Sequence, residues 1–222
     1  MALHAAEEES IEALKKWWNE NGKSLAAAVI LVFGGYTGWL LWENSTASQA
    51  ARASDLYEEI LMLVLEPQGE ALSEESSAQI TGIAGELRAD FSESIYAKYA
   101  ALYAAQQAVE NGDLAQAESD LQWILDNRQQ GMFGELDEGL ILTTSLRLGR
   151  VILAQGDAQR ALTFINDIDP KTYEGGFAEL RGDIYLSLDR LVDARDAYIA
   201  AQQAGSNSDG LRMKLNNLPD PS

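Results

Sequence analysis

The sequence predicts an all-α protein: one N-terminal transmembrane helix followed by an α-solenoid of paired antiparallel helices. Three observations predict it. Residues 24–42 form a run without a charged side chain. Beyond that run only four prolines occur, and apolar residues recur at helical rather than strand spacing. A turn–alanine–large-residue pattern then returns three times along the chain. With 222 residues, 46% of them hydrophobic, the chain can bury a real core.

The first element is Ser24 to Trp42, SLAAAVILVFGGYTGWLLW. At about 1.5 Å per residue such a helix spans roughly 28 Å, close to the ~30 Å hydrocarbon core of a bilayer. Trp17, Trp18, Trp39 and Trp42 fall near its two ends, where an indole keeps its ring apolar and its N–H wet. Lys15, Lys16 and Lys23 precede the run, and only Arg52 lies in the twenty residues after it. That asymmetry predicts a cytoplasmic tail over 1–23, a membrane helix over 24–42 and an exported domain over 43–222. In a bacterium this is a single-pass inner-membrane protein with a periplasmic domain. The run exceeds a signal-peptide core and follows a long acidic tail, so it reads as an uncleaved anchor. Gly34 and Gly38, with Gly35 beside them, form a small-residue stripe that suits a helix-docking face. Glycine is also common in membrane helices, so the stripe fits either reading.

Asp55 to Glu66 (DLYEEILMLVLE) reads as a helix stopped by Pro67 and Gly69. Ser73-Glu74-Glu75 opens the next helix, with carboxylates in the first turn where the helix dipole favours them. Asp90-Phe91-Ser92 breaks that helix before Ser94 opens another. Three stretches then align: GDLAQAESDLQWIL from Gly112, GDAQRALTFINDI from Gly156 and DRLVDARDAYIAA from Asp189. Each has an alanine five residues on (Ala117, Ala161, Ala194) and a larger residue four beyond (Leu121, Ile165, Tyr198). The alanines are 44 and 33 residues apart. A period near 34 is that of the tetratricopeptide repeat, and the excess fits an inserted loop over Asn127 to Gly139.

The upstream helices agree. Leu148-Gly149 and Gly182-x-x-Tyr185 occupy the places of a Leu-Gly-x-x-Tyr signature, while the first unit has Ala105 and Ala108 instead. Small residues let paired helix axes approach, and the large residue fills the space against the next unit. A fourth, degenerate pair is expected between Asp55 and Asp90.

Composition excludes several functions. The net charge of −19 disfavours nucleic acid, whose phosphates need clustered Lys and Arg. There is no cysteine, which removes thiolate chemistry, Cys-ligated zinc and a lipid anchor on Cys. The single histidine, His4, sits in the acidic tail, which argues against a Ser–His triad or a multi-His metal site. Glu58-Glu59, Glu74-Glu75 and Asp137-Glu138 are adjacent pairs that point to different sides of a helix. No Gly-rich loop is followed by Lys-Ser or Lys-Thr. No catalytic residues, cofactor or metal site are expected, and the chain does not read as an enzyme.

Helical-repeat stacks bind peptide segments on the concave face made by the first helix of each pair. The alignment places Tyr99, Leu102, Gln106, Leu146, Arg150, Glu179 and Asp183 as candidates for that groove. Residues 43–222 carry 13 basic and 30 acidic side chains, a net −17. Such a domain is repelled by an anionic lipid surface, and its acidity favours partners with basic segments.

Taken in order, the Glu-Ala-Leu-Lys-Lys-Trp-Trp-Asn-Glu-Asn-Gly-Lys run (Glu12 to Lys23), the span ending in Gly-Trp, the Ala/Ser-rich exit helix, the repeats and the ending Met213-Lys214-Leu215-Asn216-Asn217-Leu218 closely resemble one family. It is that of the YfgM-type ancillary subunits of the SecYEG translocon, bacterial inner-membrane proteins. The resemblance covers nearly the whole chain. It implies a single-pass protein that associates with the translocon and with the membrane-anchored periplasmic chaperone PpiD. It further implies a part in handing exported client proteins on to periplasmic chaperones. The family's proposed restraint of a stress regulator by the cytoplasmic tail has no motif in Met1 to Glu9, and Pro219 to Ser222 extends past the usual ending. The residues alone leave a second function open: a repeat scaffold organising envelope or division complexes with no role in translocation.

Overall fold

The computed structural model describes residues 2–65, 72–128 and 137–219, and every element in them is helical. The chain divides into two units, Met1–Arg52 and Ala53–Ser222. Helix α1 spans Ala2–Leu65 and is the only element of the first unit. Its residues from Ala53 belong to the second unit, which goes on with α2 (Glu74–Asp90), α3 (Ile95–Glu110), α4 (Leu114–Asp126), α5 (Glu138–Ala154), α6 (Ala158–Asn166), α7 (Glu174–Ser187), α8 (Leu191–Gln203) and α9 (Asp209–Asn217). One 3₁₀ turn, Lys171–Tyr173, follows Pro170.

The helix starts carry the caps that the sequence advertises. Ser73 Oγ accepts from the Ser76 amide and Ser94 Oγ from the Tyr96 amide, satisfying donors that have no partner inside the helix. Pro67 and Gly69, expected to stop α1, lie outside the described residues. So do 129–136 of the expected inserted loop and Asp220 to Ser222 of the C-terminal extension. The loop is shorter at its far end than Asn127 to Gly139, because Glu138 and Gly139 already belong to α5, with Asp137 before them.

The three aligned turns are one structure repeated. Gly112 and Gly156 adopt φ of 77° and 87°, and Asp189 takes the same place with φ 57°. After each of them, an amide reaches back five residues to close the helix end: Asp113 to Ala108, Asp157 to Ile152, Arg190 to Tyr185. In the first two units the aspartate then caps the next helix, Asp113 accepting from Gln116 and Asp157 from Arg160. Arg190 makes no such side-chain cap in the third. The left-handed residue and the missing cap are thus both concessions of the same unit.

Consecutive helices pack on one another from α2 to α9, and α5 also meets α7, as stacked repeats require. Ala117, Ala161 and Ala194 are fully buried, and Leu121, Ile165 and Tyr198 nearly or wholly so. Burying one such large side chain contributes about 1.5–3 kcal/mol. A Cβ on Gly149 would stand 2.8 Å from Leu180 Cδ2 and 3.0 Å from Ile165 Cγ2, so only glycine allows this approach. The degenerate first pair is present as well. Ala53 and Ile60 of α1 share a core with Ile80, Ala84 and Leu87 of α2 and Ala97, Ala100 and Ala104 of α3.

Candidate functional site

The first unit offers a membrane span. Among the described residues one helical stretch, Leu14–Leu40, is long and apolar enough to cross a bilayer, and its apolar window is not buried inside the protein. It starts before the expected 24–42, taking in Leu14, Trp17 and Trp18. Trp17, Trp18 and Trp39 are exposed near its ends; the Trp42 side chain lies outside the described ones. Thr37, a polar side chain toward the far end of the stretch, donates its hydroxyl to the carbonyls of Phe33 (2.8 Å) and Gly34 (3.2 Å). A hydroxyl satisfied within its own helix is what hydrocarbon demands. Gly34, Gly35 and Gly38 have nothing within 4 Å of where a Cβ would stand, so the stripe is open to another surface.

The second unit offers a groove. Leu102, Gln106 and Arg150, three of the seven expected groove residues, line one cavity of about 390 Å³. Helix α3 contributes Leu102, Ala105, Gln106 and Val109, and α5 contributes Arg147, Arg150, Val151 and Ala154. Leu114 and Leu121 of α4 complete it. The first repeat has Ala105 and Leu121 at the positions where the later repeats set Gly149 against Ile165 and Gly182 against Tyr198. The cavity's walls are aliphatic and its charges are two arginines. Arg147 was missed in the sequence, although it lies one helical turn before Arg150 and shares its face.

The other four candidates lie elsewhere. Tyr99 joins an aromatic group around Tyr57, with ring centroids 6.1 Å apart, and Tyr96 and Tyr103 stand at 5.5 and 6.3 Å from the same ring. Burial, then the neighbouring Tyr103 and Tyr99, push the Tyr57 hydroxyl up to about 12. Leu146 packs over Gly176, filling the seam between α5 and α7. Glu179 and Asp183 do not stand free in a groove. The Lys214 ammonium of α9 lies 2.8 Å from each carboxylate, and Asp183 also accepts the Tyr198 hydroxyl at 2.8 Å. The alignment could not see this, because α9 lies beyond the last repeat and its lysine is far away in sequence.

Most other cations of this unit are already engaged. Arg88 pairs with Asp120, Arg160 with Glu118, Lys171 with Glu138 and Arg190 with Asp193. Arg195 donates to the carbonyls of Leu218 and Pro219. The buried Lys98 donates to the Ser92 carbonyl at 2.6 Å, and desolvation lowers its ammonium against the weaker pull of Glu93. Among the described residues, no group of three or more His, Asp or Glu side chains could hold a metal ion.

Comparison with known proteins bears on both units at once. The tetratricopeptide repeat-like domain family matches residues 15–220. An ancillary SecYEG translocon subunit of Haemophilus influenzae is 33% identical over 98% of this chain and 100% of its own length. The Escherichia coli protein of the same description is 31% identical over 98% of this chain and 99% of its own, and that of Aggregatibacter actinomycetemcomitans 30% over 98% and 100%. No solved structure matches the chain at a comparable level. An apolar N-terminal helix, stacked helix pairs and similarity running end to end agree: the chain belongs to the tetratricopeptide repeat-like family of ancillary SecYEG translocon subunits.

Proposed function

We propose that this chain is a membrane-tethered, non-catalytic interaction scaffold at the SecYEG translocon. In this reading residues 1–23 stay in the cytoplasm, 24–42 cross the bacterial inner membrane and 43–222 face the periplasm. The repeat domain links the export channel to periplasmic chaperones such as PpiD and assists the hand-over of newly translocated proteins. The observation that carries the reading is the extent of the similarity. Tail, span and repeats together match relatives described as ancillary translocon subunits, over 98% of this chain. The excess of Lys15, Lys16 and Lys23 over Arg52 supports the orientation. The open faces of Gly34, Gly35 and Gly38 support a span that docks against another membrane helix. Tethering then raises the local concentration of weak partners without any new contact.

Photo-crosslinking in native membranes tests this, with a probe at Gly38 in the span. Adducts with translocon subunits or with a membrane-anchored periplasmic chaperone are expected. Adducts with envelope-assembly or division proteins alone would overturn the reading in favour of a scaffold without a role in export.

A further inference from the structure

The cavity between α3 and α5 has a chemistry opposite to that of its domain. Residues 43–222 are strongly acidic, yet the two charges at this cavity are Arg147 and Arg150. Both are exposed, and they lie one helical turn apart on α5. Among the described residues neither has a carboxylate within 4 Å, as is also true of Arg181 and of Arg195, which donates to backbone carbonyls, whereas Arg88, Arg160, Lys171, Arg190, Arg212 and Lys214 each have one. In a domain with so many carboxylates to offer, two adjacent unpaired guanidiniums beside an apolar cavity form a complementary surface for something else. The cavity itself, walled by Leu102, Val109, Leu114, Leu121 and Val151, is sized for one or two large apolar side chains.

We propose that this cavity binds a partner segment in which an apolar side chain is flanked by two acidic side chains. The apolar residue enters between α3 and α5, and the carboxylates take the forks of Arg147 and Arg150, where planar bidentate pairing is strongest. Two guanidiniums call for two carboxylates, here supplied by Asp or Glu side chains of the segment. Gln106, on the facing helix, already donates its amide to Glu110 at 2.9 Å, and its carbonyl oxygen is left to accept from the segment's backbone. This assigns the groove the reverse of the preference that the domain's overall charge suggests. Basic segments are drawn to the acidic remainder of the surface, and an acidic–apolar segment is read here.

The inference rests on the groove being a protein-binding surface, as proposed above, and the test separates the two. A photo-crosslinking residue replaces Gln106 in the full-length, membrane-embedded chain, and the crosslinked partner peptide is identified by mass spectrometry. The same experiment is run with Arg147→Glu/Arg150→Glu and with Arg147→Lys/Arg150→Lys. Both arginines are exposed, so an unchanged thermal melt certifies that each double variant is folded. The expected result is a crosslinked segment with two acidic residues around an apolar one, whose adduct falls about tenfold or more on charge reversal and survives in the lysine variant. Adducts that persist undiminished after charge reversal, or that map to basic or uncharged segments, overturn the acidic–apolar assignment and leave the groove a binding surface. An absence of protein adducts at Gln106 overturns the groove reading, and this assignment with it.

Discussion

The backbone of Gly182 lies so close to the ring of Tyr198 that a Cβ at position 182 would overlap the ring atoms. The ring cannot retreat easily. It is wholly buried, and its hydroxyl is held by Asp183 at 2.8 Å. Gly182→Ala is therefore expected to destabilise the domain by about 1–3 kcal/mol through overpacking. Gly85→Ala is the control: it lies within α2 with open space around its would-be Cβ, and helix propensity should raise stability by up to about 1 kcal/mol. Thermal melts followed by circular dichroism read both. Equal effects at the two sites would show that the ring contact does not govern position 182.

The third repeat turn carries a second local strain. Asp189 occupies with φ 57° the place where Gly112 and Gly156 sit, and a left-handed non-glycine residue costs about 1 kcal/mol. Asp189→Gly should stabilise the domain by roughly that amount, and Gly156→Ala should destabilise it by about as much or more. Chemical denaturation midpoints at unchanged slope would register both shifts.

These two sites show what was legible in the sequence and what was not. Gly182 and Tyr198 sit at the repeat positions reserved for a small and a large residue, so their contact follows from alignment. Asp189 aligns with two glycines, so its turn could be placed although its residue type is wrong for it. The cavity was half legible: Leu102, Gln106 and Arg150 follow from repeat position, but the open space between α3 and α5 is a packing outcome that spacing does not measure. The engagement of Glu179 and Asp183 was not legible, because it depends on Lys214 folding back from a helix outside the repeat pattern.

That fold-back has a pH signature. Burial alone would lower the Lys214 ammonium, but the carboxylates of Asp183 and Glu179 outweigh it and hold it above the ordinary lysine value of 10.5. Because the native value is raised, the stabilisation is fully present below about 10.5 and is lost as pH rises through the native value. Helix α9 should thus loosen in that alkaline window. Methyl resonances of Leu211 and Leu215 should shift toward exposed values there, and Lys214→Met should show the same shifts already at neutral pH. A pH-independent α9 in the wild-type chain would remove Lys214 as its clamp.

The Arg88–Asp120 pair has a pH dependence of the same sign, placed in the acid range because its titrating group is a carboxyl. Burial pushes the Asp120 carboxyl up, offset only in part by the Arg88 guanidinium and by Gln116, whose amide donates at 2.9 Å. Its side chain is 2% exposed, while Arg88 also stacks over Trp123 with its guanidinium carbon 4.9 Å from the ring centroid. Arg88→Met keeps an apolar body on Trp123 but strands the carboxylate, and it should cost about 3 kcal/mol at neutral pH. With a raised native value, the native state takes up a proton before the unfolded chain does, so the loss should shrink as pH falls through that value. Arg88→Met/Asp120→Leu should recover most of the stability at neutral pH, since an apolar pair of similar volume needs no partner. Denaturation of the three proteins at neutral and mildly acidic pH decides it. If Arg88→Met loses the same stability at both, stranded charge on Asp120 is not the cause, and the contact with Trp123 is.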